Sequence, residues 1–250
     1  MPVHDALGTR MKKYEAVSKG VLMTRTPVAI RVDGKAFHTF TKKLTKPFDS
    51  IFMQSMIETM EAMCGDIQNC IFGYTQSDEI TFILKDYEQL NTSAWFDNEI
   101  QKLCSVSASM ATYYFNHFFR LNATRVIQAN PNSDYAAVLN SCLTAPAMFD
   151  ARCFNIPKEE VVNLVYWRQL DAVRNSIQAL GQSLFSHKQL MHKSCKDIKE
   201  MCISSGFPWE NLPTHKQRGT CCRREDGEWV TDYAMPLLLK EDRAYLEDLI

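Results

Sequence analysis

Two acidic residues stand where apolar, β-branched runs give out. Asp33 follows Val28-Ala29-Ile30-Arg31-Val32, and Asp78 follows Cys70-Ile71-Phe72-Gly73-Tyr74-Thr75 within Gln76-Ser77-Asp78-Glu79. Each run has the length and composition of a buried strand ending in turn residues. On neighbouring strand ends, the Asp33 and Asp78 carboxylates form a hard-oxygen site suited to Mg²⁺, which completes its octahedron with water and phosphate oxygens. Gly34 carries no side chain to block its carbonyl from a metal or its amide from a phosphate. A pair of such ions activates an attacking hydroxyl and stabilises a leaving oxygen in phosphoryl or nucleotidyl transfer. Lys35, His38 and Lys46 follow closely enough to neutralise a triphosphate, while Phe37 either stacks a base or fills the core. The plainer reading of Asp33-Gly34 and Ser77-Asp78 is turn chemistry alone.

The elements that must carry these residues are legible from periodicity. A weak helical pattern over residues 1–24 leads into the strand 28–32, followed by a polar loop over 39–47. Phe52, Met56, Met60 and Met63 share one face of a helix over 48–63, with Asp49 or Ser50 as its cap and Gly65 after its end. The runs 70–75 and 79–85 form a hairpin. A helix over 97–119 and a strand over 148–156 then complete a ferredoxin-like βαββαβ unit. Pro157-Lys158-Glu159-Glu160 opens a long helix, as proline and acids in a first turn do. Ser186 caps a lysine-rich helix ending near Gly206, residues 207–220 form a loop, and 220–224 is a final β segment before a short C-terminal helix from Leu237. The fold class is α+β. One domain spans 1–250, as a core over 1–156 with an extension of helices and a short β segment, 157–250, packed on it.

At 250 residues, 46% hydrophobic and 23% charged, the chain has the composition of a folded globular protein. No apolar run approaches the ~20 residues that cross a bilayer, and Met1 to Lys13 lacks the pattern of a secretory leader. The nine cysteines are odd in number and form no C-x-x-C, which argues for reduced thiols in the cytoplasm and for simple packing of Cys221-Cys222. The net charge of −1 exerts no global pull on nucleic acid. Local clusters do exist: Lys42, Lys43 and Lys46; His187 to Lys199; and His215-Lys216-Gln217-Arg218 with Arg223-Arg224.

Taken as an ordered set, the motifs Arg31-Val32-Asp33-Gly34-Lys35-Ala36-Phe37-His38-Thr39-Phe40, Lys46-Pro47, Tyr74-Thr75-Gln76-Ser77-Asp78-Glu79, Phe149-Asp150-Ala151-Arg152, Trp167-Arg168-Gln169-Leu170-Asp171 and Lys216-Gln217-Arg218-Gly219-Thr220 closely resemble the tRNA-His guanylyltransferase family. The resemblance implies a palm-like catalytic core that works in the 3′-to-5′ direction, the 3′-hydroxyl of a nucleoside triphosphate attacking an activated tRNA 5′-phosphate. It implies two Mg²⁺ ions held by Asp33, the Gly34 backbone and Asp78, with Glu79 beside them as a further catalytic residue. Nucleotide binding falls to Asp33, Gly34, Lys35, Ala36, Phe37, His38, Lys46, Ser77 and Asp78, with GTP or other triphosphates as substrates and ATP for activating the 5′ end. Arg152, Asn175, Lys216 and Arg218 are the tRNA contacts it suggests, and a cytoplasmic homotetramer is the assembly.

One segment departs from the family. Dedicated guanylyltransferases carry His-Ile-Asn-Asn where this chain has Val173-Arg174-Asn175-Ser176. The latter resembles the Thg1-like branch of template-dependent 3′–5′ polymerases that repair 5′-truncated tRNAs, since valine cannot supply a histidine's hydrogen bonds. Non-templated G addition to tRNA-His, a palm-type nucleotide cyclase and a non-catalytic RNA-binding module are the alternatives.

Overall fold

Val28, Ile30 and Val32 point to one side of strand β1 (Val28–Gly34) and Ala29 to the other, and all four are buried. Burial on both faces marks a central strand. In the computed structural model, which describes residues 6–250, β1 pairs antiparallel with β3 (Glu79–Leu84) on one side and with β4 (Phe149–Asn155) on the other. Strand β2 (Cys70–Gln76) lies beyond β3. The order β4-β1-β3-β2, antiparallel throughout, is that of the expected ferredoxin-like unit. Two further strands extend the same sheet past β2, β5 (Thr220–Glu225) and β6 (Glu228–Asp232). Only β5 was expected. The missed signal is Asp226-Gly227, both at positive φ (51° and 87°), the dipeptide that favours a tight hairpin.

One face of the sheet is covered by α3 (Ser50–Asp66) and α4 (Ile100–Ala129). Asp49 caps α3, its Oδ1 accepting from the Phe52 amide at 2.9 Å. Gly65, expected beyond the helix, lies inside its last turn. Helix α4 runs ten residues past the expected end at 119, because Phe119 and Ala123 continue its buried stripe. Helix α5 (Asp134–Leu143), capped by Ser133, was not anticipated. Where a polar loop was expected over 39–47, the chain makes a helical turn, α2 (Phe37–Phe40), and a 3₁₀ turn, Thr41–Lys43. Beneath them Phe37, Phe40, Phe52, Phe115, Phe119 and Phe149 form one aromatic cluster. Within it the Phe37 ring lies 4.9 Å from Phe149, 5.4 Å from Phe115 and 6.0 Å from Phe52, centroid to centroid.

The opposite face is covered by α6 (Val161–Leu184) and by the chain end. Val161, Val162 and Val165 pack on Ala29, Phe72, Tyr74 and Ile83, with Leu238, Leu246 and Ile250 beside them. The lysine-rich helix is in fact two. Ser186 caps only the single turn α7 (His187–Leu190), and Ser194 caps α8 (Cys195–Ser204). His192, at φ 62°, breaks the run between them. The expected loop over 207–220 contains a short helix, α9 (Thr214–Arg218), and Gly219 at φ 89° turns it directly into β5. A Cβ on Gly219 would sit 2.6 Å from the Thr75 carbonyl oxygen, so the close approach also excludes a side chain. A single turn, α10 (Ala244–Glu247), stands for the C-terminal helix.

Helix α1 (Ala6–Val17) falls within the weak pattern at the start of the chain, whose residues 1–5 lie outside the described residues. All nine cysteines are free, and Cys221 and Cys222 are buried on opposite faces of β5 as packing groups. Among the described residues, no helix is long and apolar enough to cross a membrane.

Phe115 touches Phe37, Phe40, Phe52 and Phe149 and is fully buried. Phe115→Ala is therefore expected to lower the unfolding free energy by about 3–5 kcal/mol in a denaturant titration. A loss below about 1 kcal/mol would contradict this packing.

Candidate active site

The two aspartates meet because the backbone joins their strand ends. The β2–β3 hairpin turns through Ser77 and Asp78, with Ser77 at φ 51°, and the Gly34 amide donates to the Asp78 carbonyl at 3.0 Å. Asp33 lies directly opposite Glu79 on β3 and Asp150 on β4. Its side chain is 36% exposed, with the Arg152 Nη2 at 3.8 Å. The Asp78 carboxyl is pushed above the ordinary aspartate range, by burial first and then by the negative charge of Asp33, against the Ser77 hydroxyl that donates to it at 3.1 Å.

Next to this pair lies a hollow lined by Gly34, Ala36, Phe37, His38, Ser77 and Asp78, with Thr41 and Phe52 at its margin. It adjoins a cleft of about 260 Å³ that shares Thr41, Phe52 and Ser77 with it and is flanked by Lys46, Phe48, Asn175 and Lys216. Lys46 is exposed and donates to the Thr41 carbonyl at 3.1 Å. Asp49, given no role at the site beyond its cap, also holds this loop, accepting from the Thr45 amide at 3.0 Å and the Tyr135 hydroxyl at 2.7 Å. Lys35 and His38 are exposed at the rim.

Three of the expected residues make contacts that the sequence did not indicate. Phe37 does not stack a base: its ring is 3% exposed and belongs to the aromatic cluster. Gly34 is required partly for that reason, since a Cβ there would strike the Phe37 ring. Glu79 stands directly opposite Asp33 in the strand register and is engaged by two arginines. It faces α6, is 6% exposed, and accepts from the Arg168 Nε at 2.6 Å with the Arg31 Nε at 3.6 Å. Burial raises its carboxyl nonetheless, with Arg168 and then Arg31 opposing the rise. Arg218 is half-buried, its Nε donating to the Met235 carbonyl at 3.0 Å.

Arg152 lies on the rim beside Asp33, while Asn175 and Lys216 line the cleft, so the three remaining tRNA candidates border the aspartate site. Val173 packs against the cluster of Ile177, Ile198 and Trp209. Ser176 ties the same turn of α6 to the loop before β5, donating to the Gln217 carbonyl at 2.8 Å and accepting from the Trp209 indole at 3.0 Å. Arg168 is a functional residue that the motif alone does not reveal. Its signal was present in the sequence: a charge falling on the apolar stripe of α6, between Val165 and Ala172.

With the geometry in place, a family model for tRNA-His guanylyltransferase matches residues 8–157. The chain belongs to this family. It is also similar to a bacterial tRNA-His guanylyltransferase-like protein solved in complex with ATP, at 36% identity and a TM-score of 0.85, covering 98% of this chain and 99% of that one. A bacterial guanylyltransferase-like protein solved with GTP gives 34% identity and a TM-score of 0.80 over the same shares. An uncharacterised protein of Acanthamoeba polyphaga mimivirus is 27% identical over 235 residues, 89% of this chain and 78% of its own length. Strands β1 to β4 with α3 and α4 thus form the palm-type core of the guanylyltransferase family, and nucleotidyl transfer is the family's chemistry.

The raised Asp78 carboxyl makes a stability prediction with a definite sign. A group whose folded pKa exceeds its unfolded value stabilises the fold while protonated and loses that contribution as pH rises through the folded value. Ionised Asp78 is therefore a cost at neutral pH, and metal-free Asp78→Asn is expected to melt above wild type at pH 7. The gap should close below pH about 4, where the unfolded-state aspartate also protonates. Melting curves across pH check this, and a variant melting below wild type at pH 7 would contradict it.

Proposed function

We propose that this chain is a cytoplasmic 3′–5′ nucleotidyltransferase that adds nucleotides to the 5′ end of tRNA against a template, repairing 5′-truncated tRNAs. The observation that carries the reading is the meeting of the Asp33-Gly34 and Asp78 strand ends, where Gly34 and Asp78 line a hollow that adjoins a cleft bordered by Lys46, Asn175 and Lys216. Similarity to relatives solved with ATP and with GTP supports triphosphates as its substrates. Nine free thiols accord with a reducing compartment, and assembly into a tetramer is proposed on the family resemblance.

The residues fit the divalent metal that such chemistry requires. Asp33, Asp78 and the Gly34 carbonyl form an all-oxygen donor set in which burial and mutual charge leave the Asp78 carboxylate under-stabilised. No cluster of three or more His, Cys, Asp and Glu among the described residues is arranged to hold a metal, so an ion here draws its remaining ligands from triphosphate and water. Mg²⁺ bound by these residues supplies neutralisation of the triphosphate and acidification of the attacking hydroxyl.

The chain's own groups do the rest. Lys46 and His38 bring positive or hydrogen-bonding groups to the rim where phosphates enter, and the exposed Ser77 hydroxyl adds a donor beside Asp78. A 5′-monophosphate is first joined to AMP from ATP, with release of pyrophosphate. The 3′-hydroxyl of the next triphosphate then attacks that phosphate, and AMP leaves. Val173 turns into an apolar cluster and offers RNA no hydrogen bond, so the opposing base takes over nucleotide choice.

The test is extension of a tRNA lacking its first 5′ nucleotide, with each of the four bases opposite the gap. The complementary nucleotide should be preferred by more than about tenfold, a discrimination of about 1.4 kcal/mol. No extension, or extension indifferent to the opposing base, would contradict the reading. Asp33→Ala should lower turnover about a hundredfold or more. The match to a model described as tRNA-His guanylyltransferase supports a second reading, untemplated G addition to tRNA-His, which the same assay would reveal as G added whatever base it faces.

A further inference from the structure

Three carboxylates crowd this end of the sheet: Asp78 lines the hollow and Asp33 stands partly exposed beside Arg152, while Glu79 is buried against Arg168. We propose that Arg168 is the positioning residue that makes the division: it withdraws Glu79 from the metal pair and, through the first residue of β3, fixes Asp78 beside Asp33. The inference rests on the reading of Asp33 and Asp78 as the metal-holding pair.

Glu79 is the residue after Asp78 and the first of β3, so whatever immobilises it immobilises the end of the hairpin turn. Its main chain is held by the Thr75 hydroxyl, which donates to the Glu79 carbonyl at 3.0 Å. Its side chain is held by Arg168, whose Nε donates at 2.6 Å while Nη2 donates to Asp171 at 2.9 Å. The guanidinium is also flanked by Trp167, with its Cζ 4.4 Å from the ring centroid. This planar fork serves two carboxylates and one aromatic face at once, a task a lysine ammonium does not match.

Helix α6 gives the fork a rigid base. Gln169, the next residue, is fully buried and clasps the chain end, donating to the Pro236 carbonyl at 2.8 Å and accepting from the Leu238 amide at 2.9 Å. Arg31 approaches Glu79 at 3.6 Å but with its Nε lacking a hydrogen-bond partner, so Arg168 supplies the directed bond. Buried charges persist when paired and hydrogen-bonded in this way. Removing Arg168 would free a third carboxylate directly opposite Asp33 and loosen the residue that aims Asp78.

Titration with Mn²⁺ in the presence of ATP, followed by loss of the free-ion paramagnetic resonance signal, reads the pair without relying on turnover. Asp78→Asn is the control for the underlying reading, and wild-type binding by that variant would overturn the metal pair and this inference with it. Glu79→Gln keeps an oxygen acceptor for Arg168 and is expected to bind Mn²⁺–ATP within about threefold of wild type. Arg168→Lys, which keeps the buried charge and is the variant expected to fold, should bind it about tenfold to a hundredfold more weakly. Its thermal melt should stay cooperative and its tRNA affinity, by filter binding, unchanged. Loss of binding in Glu79→Gln equal to that of Asp78→Asn would make Glu79 a ligand and overturn the proposal. Wild-type Mn²⁺ affinity in Arg168→Lys would overturn it as well.

Discussion

Two like charges must be held side by side without collapsing apart, and the rest of the molecule answers to that constraint. The antiparallel pairing of β1 with β3 sets the strand ends in register, and one hydrogen bond, from the Gly34 amide to the Asp78 carbonyl, closes the gap between them. Repulsion between neighbouring carboxylates disfavours ionisation of one of them. Here it adds to burial in raising Asp78. The unfavourable arrangement persists because β1 is covered on both faces, and a shift by one residue would drive Ile30 and Val32 out of the α3–α4 side onto the α6 side.

Each layer contributes a different restraint. On the α3–α4 side the aromatic cluster fills the space under the turn after Gly34, and Phe37 makes glycine the only residue that fits there. On the α6 side the restraint is electrostatic, with Arg168 and Arg31 answering Glu79. The loop over 41–49 is fixed by the Asp49 carboxylate, which caps α3 and holds Thr45 and Tyr135 as well. Lys46 thus projects from a fixed loop at the mouth of the cleft.

Much of this was legible in the sequence where local chemistry and long-range packing agree. The strands carrying Asp33 and Asp78, the hairpin between them, and the cap at Asp49 all follow from alternation and turn residues. Legibility failed where a residue's neighbour is distant in sequence. For Glu79 the sequence shows the neighbouring Asp78, and only the fold reveals Arg168 beside it, 89 residues away. Phe37 was ambiguous for the same reason, since Phe115 and Phe149 come from α4 and β4. The break at His192 and the second strand of the C-terminal hairpin are local features, and Asp226-Gly227 was readable.

The central claim is that Asp33 and Asp78, and no third carboxylate, hold the metal against the triphosphate. Its most direct measurement is anomalous diffraction from a crystal grown with Mn²⁺ and a non-hydrolysable nucleoside triphosphate. The account predicts a manganese peak bridging the Asp33 and Asp78 carboxylates near the Gly34 carbonyl, at coordination distances of about 2.0–2.3 Å, with Glu79 still on Arg168. A peak coordinated by Glu79, or lying away from Asp33 and Asp78, would contradict it.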